Sequence, residues 1–118
     1  MAHASRSEPF WWSLFAAGGV VAAFLVPIHV LLEGIVGPLG GPTPAADYDR
    51  MHAWLASPFT RVYLFVLISL PLFHWAHRFR FTLADLGLSR FGAWLAVLCY
   101  GAAIVGTALA AWLLITAP

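Results

Sequence analysis

Three long stretches without any Asp, Glu, Lys or Arg constrain this chain more than any other feature of its sequence. They cover residues 9–32, 62–77 and 91–118 of the 118. A helix that crosses the hydrocarbon region of a bilayer needs about 20 mostly apolar residues. The first and third stretches meet this length. The second meets it over residues 59–79, because Arg61 and Arg78 can extend their charged ends to the interfaces. The sequence therefore predicts an all-α integral membrane protein with three transmembrane helices, at about residues 10–36, 59–79 and 91–116.

The composition supports a lipid environment and narrows the possible functions. Hydrophobic residues make up 62% of the chain and charged residues 9%, against about 25% charged residues in soluble domains. A formal net charge of +1 offers no basic surface for nucleic acid. The single cysteine excludes an internal disulfide and a cysteine-ligated cluster. We expect one membrane domain over residues 1–118 with no metal site. We also expect the first span to remain uncleaved, because its apolar run exceeds the roughly 7–15 residues of a signal peptide.

The two linkers between the predicted helices differ in character. The first begins with a cluster of glycines and prolines at residues 37–42. It continues with apolar and aromatic side chains at helical spacing, namely Tyr48, Met51, His52 and Leu55. This pattern predicts a short helix that lies flat in the interface. The second linker, about residues 80–90, is short and basic, and Gly87 is its expected turn.

The distribution of arginine predicts the orientation in the membrane. Four arginines fall on the N-terminal side of the predicted bundle: Arg6, Arg78, Arg80 and Arg90. Arg50 and Arg61 fall on the other side. Because positive residues stay on the cytoplasmic side, we expect a plasma-membrane protein with a cytoplasmic N-terminus and an external C-terminus.

Aromatic and titratable side chains meet at the predicted cytoplasmic end. A helical stripe on the second segment carries His74, His77, Arg78 and Phe81. The start of the first segment brings Trp11, Trp12 and Phe15 to the same depth, and the third begins with Trp94. Two imidazoles, a guanidinium and flat aromatic walls suit a quinone. Arginine or histidine can hydrogen-bond its oxygens, and histidine can transfer protons near neutral pH.

These residues also have a purely structural interpretation. Tryptophan commonly forms interfacial belts, and arginine at a helix end commonly fixes topology. We favour that interpretation for Trp11, Trp94, Arg80 and Arg90. For His74, His77 and Arg78, the binding and structural interpretations both stay open.

Two other titratable groups occupy the first segment. Glu33, like His74 and His77, is a candidate for proton transfer, because intramembrane carboxyl groups often serve proton paths. An ion pair between Glu33 and Arg61 is the favoured alternative. His29 and His74 lie roughly 20 Å apart along the membrane normal, at 1.5 Å per helical residue. We therefore expect no haem held by this chain alone.

The third segment carries two ladders of small residues on neighbouring faces. They consist of Ala102, Gly106 and Ala110, and of Ala103, Thr107 and Ala111. Such ladders let helix backbones approach closely. Three helices of one chain cannot cover each other on every side. The second ladder therefore indicates a partner helix from another protein of the same complex.

Several short motifs, in order and at similar spacing, resemble a known family. They are SEPFWWSLFAAGG at residues 7–19, VP at 26–27, GPLG at 37–40, RV at 61–62, LPL at 70–72 and HR at 77–78. Together they resemble the D subunit of the membrane anchor of quinol:fumarate reductase, over nearly the whole chain.

The resemblance implies a non-catalytic anchor protein in a two-chain membrane bundle. Its partners would be a second anchor protein (the C subunit), an iron–sulfur protein and a flavoprotein, with FAD and the clusters held only by those partners. The implied ligand is menaquinol, whose oxidation supports the reduction of fumarate to succinate. By matching positions, the quinone site would draw on Trp12, Phe15, Ala16, His77 and Arg78, and the anchor would contain no haem.

One departure concerns the residues after the His-Arg pair. Well-known members of the family continue with further histidines, whereas Phe81 occupies the place of a pocket histidine here. His77 or the partner anchor protein would then carry more of the proton transfer. Two other functions remain open: an anchor of a succinate dehydrogenase, which runs in the opposite direction, and a small transporter or assembly factor without a redox ligand.

Overall fold

The computed structural model describes Arg6 and residues 8–43 and 46–117, and all regular structure within them is helical. Helix α1 covers residues 8–36, with α-helical turns at Glu8–Val20 and Val26–Leu31 and π-helical turns at Val21–Leu25 and Leu32–Val36. The first π turn precedes Pro27, which has no N–H to donate within the helix. Helix α2 spans Tyr48–Ala56, helix α3 Pro58–Leu83 and helix α4 Gly92–Thr116.

Two helical runs, Pro9–Val36 and Pro58–Thr116, are long and apolar enough to cross a membrane. The second run folds back on itself at Gly87, whose φ of 106° lies in the left-handed region that favours glycine. A straight helix of its 59 residues would measure about 88 Å, but the longest dimension of the molecule is 57 Å. The predicted turn at Gly87 is thus confirmed, although the helical pattern continues through it as a π turn at Ala84–Leu88 and a 3₁₀ turn at Ser89–Phe91.

The boundaries differ from the prediction at one end. The sequence predicts an end of helix α3 near residue 79, but the helix continues to Leu83. None of residues 80–83 is a glycine or proline, so nothing in the sequence stops the helix there. The interfacial segment is helical as expected. It begins after Asp47, whose side chain accepts a hydrogen bond from the N–H of Arg50.

Helices α1 and α4 each lie antiparallel to α3. His77 contacts Tyr100 and Arg61 contacts Ala117, so residue numbers fall along α3 as they rise along α4. The buried centre of that pair consists of Ala76, Cys99 and Ala103. Small side chains let the two backbones approach closely. Ala103 of the second ladder therefore packs against α3 of the same chain, and not against a helix of another protein as predicted. Cys99 is buried as a small apolar group.

The outer surface of the helices is strongly apolar. Phe24 is 69% exposed, Trp112 66% and Ile115 74%. A monomeric water-soluble protein rarely leaves such continuous apolar surface uncovered. The surface therefore suits contact with lipid or with other membrane proteins.

Alanine in place of Gly18 should destabilise the bundle by about 1–3 kcal/mol, because it overpacks the α1–α3 contact. A Cβ at Gly18 would clash with the carbonyl oxygen of Leu70, which is backbone and cannot move aside cheaply. Thermal unfolding in detergent measures the effect. Gly101→Ala is the matched control, because, apart from the adjoining backbone of its own helix and its two chain neighbours, no described atom lies within 4 Å of its added Cβ. Equal unfolding temperatures for the two variants would contradict the prediction.

Candidate functional site

A cavity of about 340 Å³ lies where α1 begins, α3 ends and α4 begins. We call it the aromatic cavity; it is lined by Trp11, Trp12, Phe15, Phe73, His77, Tyr100 and Ile104. Small-molecule sites are typically apolar clefts of about 300–1,000 Å³ with a few polar groups that fix the orientation of the ligand. The imidazole of His77 and the hydroxyl of Tyr100 supply such groups here.

His77 lies at the centre of this aromatic cluster. Its ring centroid is 4.6 Å from that of Phe15, 6.0 Å from that of Trp12 and 5.0 Å from that of Phe81. Its Nδ1 forms a 2.8 Å hydrogen bond with the hydroxyl of Tyr100, and the imidazole tautomer sets the direction of that bond. Among the described residues, Nε2 has no hydrogen-bond partner. The imidazole is therefore fixed through one nitrogen and leaves the other available to a ligand.

His74 has a different position, on the contact between α1 and α3. Its ring stacks on Phe15 with centroids 4.4 Å apart, and its Nδ1 lies 3.0 Å from the Phe15 carbonyl oxygen. A carbonyl oxygen only accepts, so Nδ1 carries the proton and donates it. Gly19 leaves room for this ring, because a Cβ there would lie 2.9 Å from Cε1 of His74. His74 thus contacts Phe15, which lines the aromatic cavity, but does not belong to the lining itself.

The other predicted quinone-binding residues lie at or beyond the edge of the aromatic cavity. The rings of Phe81 and His77 are in edge-to-face contact. Ala16 and Arg78 are exposed and do not belong to the lining.

Arg80 is the arginine that is half-buried at this end of the bundle, with Cζ 4.9 Å from the ring centroid of Phe81 and 5.7 Å from that of Tyr100. The structure brings Trp12, Phe15 and His77 together in the lining.

Sequence reasoning missed four lining residues. It places Trp11 in an interfacial belt and does not single out Phe73, Tyr100 or Ile104. Tyr100 carries a usable signal, because a hydroxyl inside an apolar span needs a hydrogen-bond partner. The other two apolar residues carry none, since Phe and Ile are ordinary in any transmembrane helix.

Glu33 and Arg61 occupy the opposite end of the bundle, and the favoured ion pair between them is wrong. Arg61 donates to the carbonyl oxygens of Leu55 and Ala117. These carbonyls lie near the C-terminal ends of α2 and α4, where backbone acceptors lack helical partners and attract cations. Within the described ranges the one ion pair joins Arg50 and Asp47, at 3.9 Å.

The described residues bring no group of three His, Cys, Asp or Glu side chains close enough to share a metal ion. His29 is instead paired with Tyr63, and its Nε2 lies 2.8 Å from that hydroxyl. His74 lies beside Phe15, about three turns of α3 away on the same α1–α3 contact.

Comparison with known proteins places this arrangement in a family. The family model for the D subunit of fumarate reductase matches residues 2–115. The chain belongs to the fumarate reductase D-subunit family. The fumarate reductase D subunit of Mycobacterium tuberculosis is 46% identical over 111 residues, which cover 93% of this chain and 88% of the relative. The fumarate reductase D subunit of Shewanella putrefaciens is 39% identical over 104 residues, which cover 87% and 85%.

Family membership confirms the resemblance seen in the motifs. The D subunit of fumarate reductase is the membrane anchor, so this member is part of a fumarate reductase complex with other subunits. The apolar helices and their exposed aromatic surface agree with that membrane role.

Proposed function

We propose that this member of the fumarate reductase D-subunit family forms part of a menaquinol site at the aromatic cavity. With a second anchor protein, the C subunit, it attaches the iron–sulfur protein and the flavoprotein to the plasma membrane. The observation that carries the proposal is the position of His77, held by Tyr100 among aromatic rings. FAD and the iron–sulfur clusters belong to the partners, and the anchor needs no haem.

The residues of the aromatic cavity fit a quinone ring. Trp12 and Phe15 supply flat apolar walls, and the volume of about 340 Å³ falls in the range for small-molecule sites. When bound, menaquinol supplies two electrons and two protons to the complex. The chain's own part is to hold the ring, exclude water and receive a proton.

The hydrogen bond with Tyr100 allows His77 either to accept a proton from the quinol or to donate a hydrogen bond to the quinone. When Nδ1–H donates to the Tyr100 hydroxyl, Nε2 has a lone pair that can accept a proton from a quinol hydroxyl. When the Tyr100 hydroxyl donates to Nδ1, Nε2–H can donate to a quinone carbonyl oxygen. A phenol supports either tautomer, because its oxygen both donates and accepts.

The remaining predicted residues act at the open side of the cavity. Arg78 supplies a cationic donor to a quinone oxygen once a partner protein covers the exposed edge. Ala16 contributes a small side chain near the ring, and Phe81 closes the far side of His77. His74 acts through Phe15 and is the second candidate for proton transfer.

Tyr100→Phe should lower the efficiency of menaquinol-driven fumarate reduction by roughly three- to tenfold. One neutral hydrogen bond contributes about 0.5–1.5 kcal/mol, and its loss frees the His77 ring to turn. Steady-state kinetics with a menaquinol analogue measure the change. Tyr63→Phe, at the far end of the bundle, is the matched control and should retain the wild-type rate. If Tyr100→Phe also keeps the wild-type rate, Tyr100 does not position His77.

We further propose that the chain crosses the membrane three times, once with each of α1, α3 and α4, and that its N-terminus is cytoplasmic. Three crossings place the two termini on opposite sides. Reporter fusions test this: a periplasm-active enzyme at the C-terminus should be active, and a cytoplasm-active one should not. The reverse result would mean an even number of crossings or the opposite orientation.

Affinity purification of the tagged chain from membranes tests the assignment as a whole. We expect a second anchor protein, an iron–sulfur protein and a flavoprotein to co-purify, with fumarate reductase activity and no haem bands in the reduced spectrum. If the complex oxidises succinate faster than it reduces fumarate when supplied with its physiological quinone, the result would favour the succinate dehydrogenase alternative. Recovery of the chain without redox partners would favour the transporter or assembly alternative.

A further inference from the structure

A second cavity, of about 520 Å³, lies at the opposite end of the bundle between α1, α2 and α3. We call it the carboxyl cavity, since its lining includes Glu33. Helix α1 rises roughly 30 Å between Trp12 and Glu33, at 1.5 Å per residue. That distance is about the thickness of the hydrocarbon region. The carboxyl cavity therefore lies at the membrane interface opposite the aromatic cavity.

Glu33 supplies the carboxyl group of this cavity. It lies in the π-helical turn Leu32–Val36, and π turns occur frequently at functional sites. The other titratable lining residues, His29 and Tyr63, are hydrogen-bonded to each other at 2.8 Å. Among the described residues, no arginine belongs to the lining, and Arg61 donates to backbone carbonyls instead.

Aromatic side chains line the same cavity as this carboxyl group. Trp54, Phe59 and Tyr63 line the cavity, and the thioether of Met51 adds a polarisable apolar surface. Trp54 is 47% and Phe59 85% exposed, so the rings remain open to the bilayer interface. Aromatic faces attract cations through the negative face of the ring, and quaternary ammonium groups are recognised in this way.

We propose that the carboxyl cavity binds a membrane-partitioned organic cation, with Glu33 as counter-ion and the rings of Trp54, Phe59 and Tyr63 as the apolar cage. The charge of the lining decides between ligand classes. An anion would meet a carboxyl group with no arginine to offset it, and a neutral apolar molecule would leave that group without a partner. This site is independent of the menaquinol proposal, because it lies at the other end of the bundle.

Equilibrium dialysis of the complex in an uncharged detergent, with empty micelles as background, tests the proposal. The probe is radiolabelled tetraphenylphosphonium, and tetraphenylborate is an anion of nearly the same shape. We expect saturable binding of the cation at one site per chain and none of the anion. Glu33→Gln should weaken cation binding about tenfold or more, whereas Asp49→Asn, which removes an exposed carboxyl outside the cavity, should leave it unchanged.

A second variant keeps the test valid if Glu33→Gln fails to assemble. Trp54→Leu removes one ring from the short interfacial helix and should weaken binding about threefold to tenfold. Equal binding of cation and anion would overturn the proposal, as would undiminished cation binding in both Glu33→Gln and Trp54→Leu.

Discussion

Replacing His77 by leucine should lower menaquinol-driven fumarate reduction by roughly 10²–10⁴-fold, the contribution that a positioned acid–base group makes to a proton transfer. Leucine keeps most of the apolar contacts with Phe15 and Trp12 but removes both ring nitrogens. Fumarate reduction with an artificial electron donor should continue at the wild-type rate, because we propose that the flavin is held by another protein of the complex. The ratio of the two activities measures the loss at the quinol site.

His52→Leu is the matched control for this experiment. His52 is exposed on α2 and its ring stacks on that of Tyr48, at 6.0 Å between centroids. We expect both activities of this variant to equal those of the wild type. An assembled His77→Leu complex with normal menaquinol activity would remove His77 from the site and leave the aromatic cavity without its main polar group.

Replacing Arg78 by leucine should lower menaquinol-driven activity by about one to two powers of ten. A hydrogen bond from a charged donor contributes roughly 1.5–3 kcal/mol, and leucine retains much of the bulk of the stem. Arg78→Lys should be impaired less, because an ammonium group donates but does not present the planar guanidinium fork. Steady-state kinetics with menaquinol, compared with the artificial donor, measure both variants.

Two variants separate ligand binding by Arg78 from a role in topology. Arg90→Leu removes another exposed arginine at the same end of the bundle, with Cζ 4.7 Å from the ring centroid of Phe91. We expect it to assemble and to keep menaquinol activity. If Arg78→Lys matches the wild type and Arg78→Leu fails only in assembly, Arg78 fixes orientation and does not bind quinone.

The helices could be predicted from the sequence because lipid imposes a simple length requirement. The uncharged stretches locate α1, α3 and α4, and Gly87 marks the reversal. The last residue of α3 could not be predicted, because the length needed to cross the hydrocarbon region is reached before the helix ends. Residues 80–83 are compatible with both a helix and a linker, and the turn begins only where Gly87 permits it.

The candidate site could be predicted only in part, because helical spacing gives the face of one helix but not its partner across a contact. His77 and Phe81 share a stripe on α3, so their proximity followed from spacing. The bond from His77 to Tyr100 depends on the register between α3 and α4, which packing around Ala76 and Ala103 sets. The predicted partner of Arg61 is wrong for a similar reason. Backbone carbonyls at helix ends compete with any carboxylate for the guanidinium group, and no residue type in the sequence indicates them.

Photoaffinity labelling tests the central claim most directly. The intact complex is illuminated with an azido-menaquinone analogue, and the labelled peptides of this chain are identified by mass spectrometry. The proposed site predicts labels within residues 11–16, 73–81 or 100–104, suppressed by excess menaquinone and reduced in His77→Leu. Labels confined to the end of the bundle that holds His29 and Glu33, or the absence of any label in this chain, would contradict it.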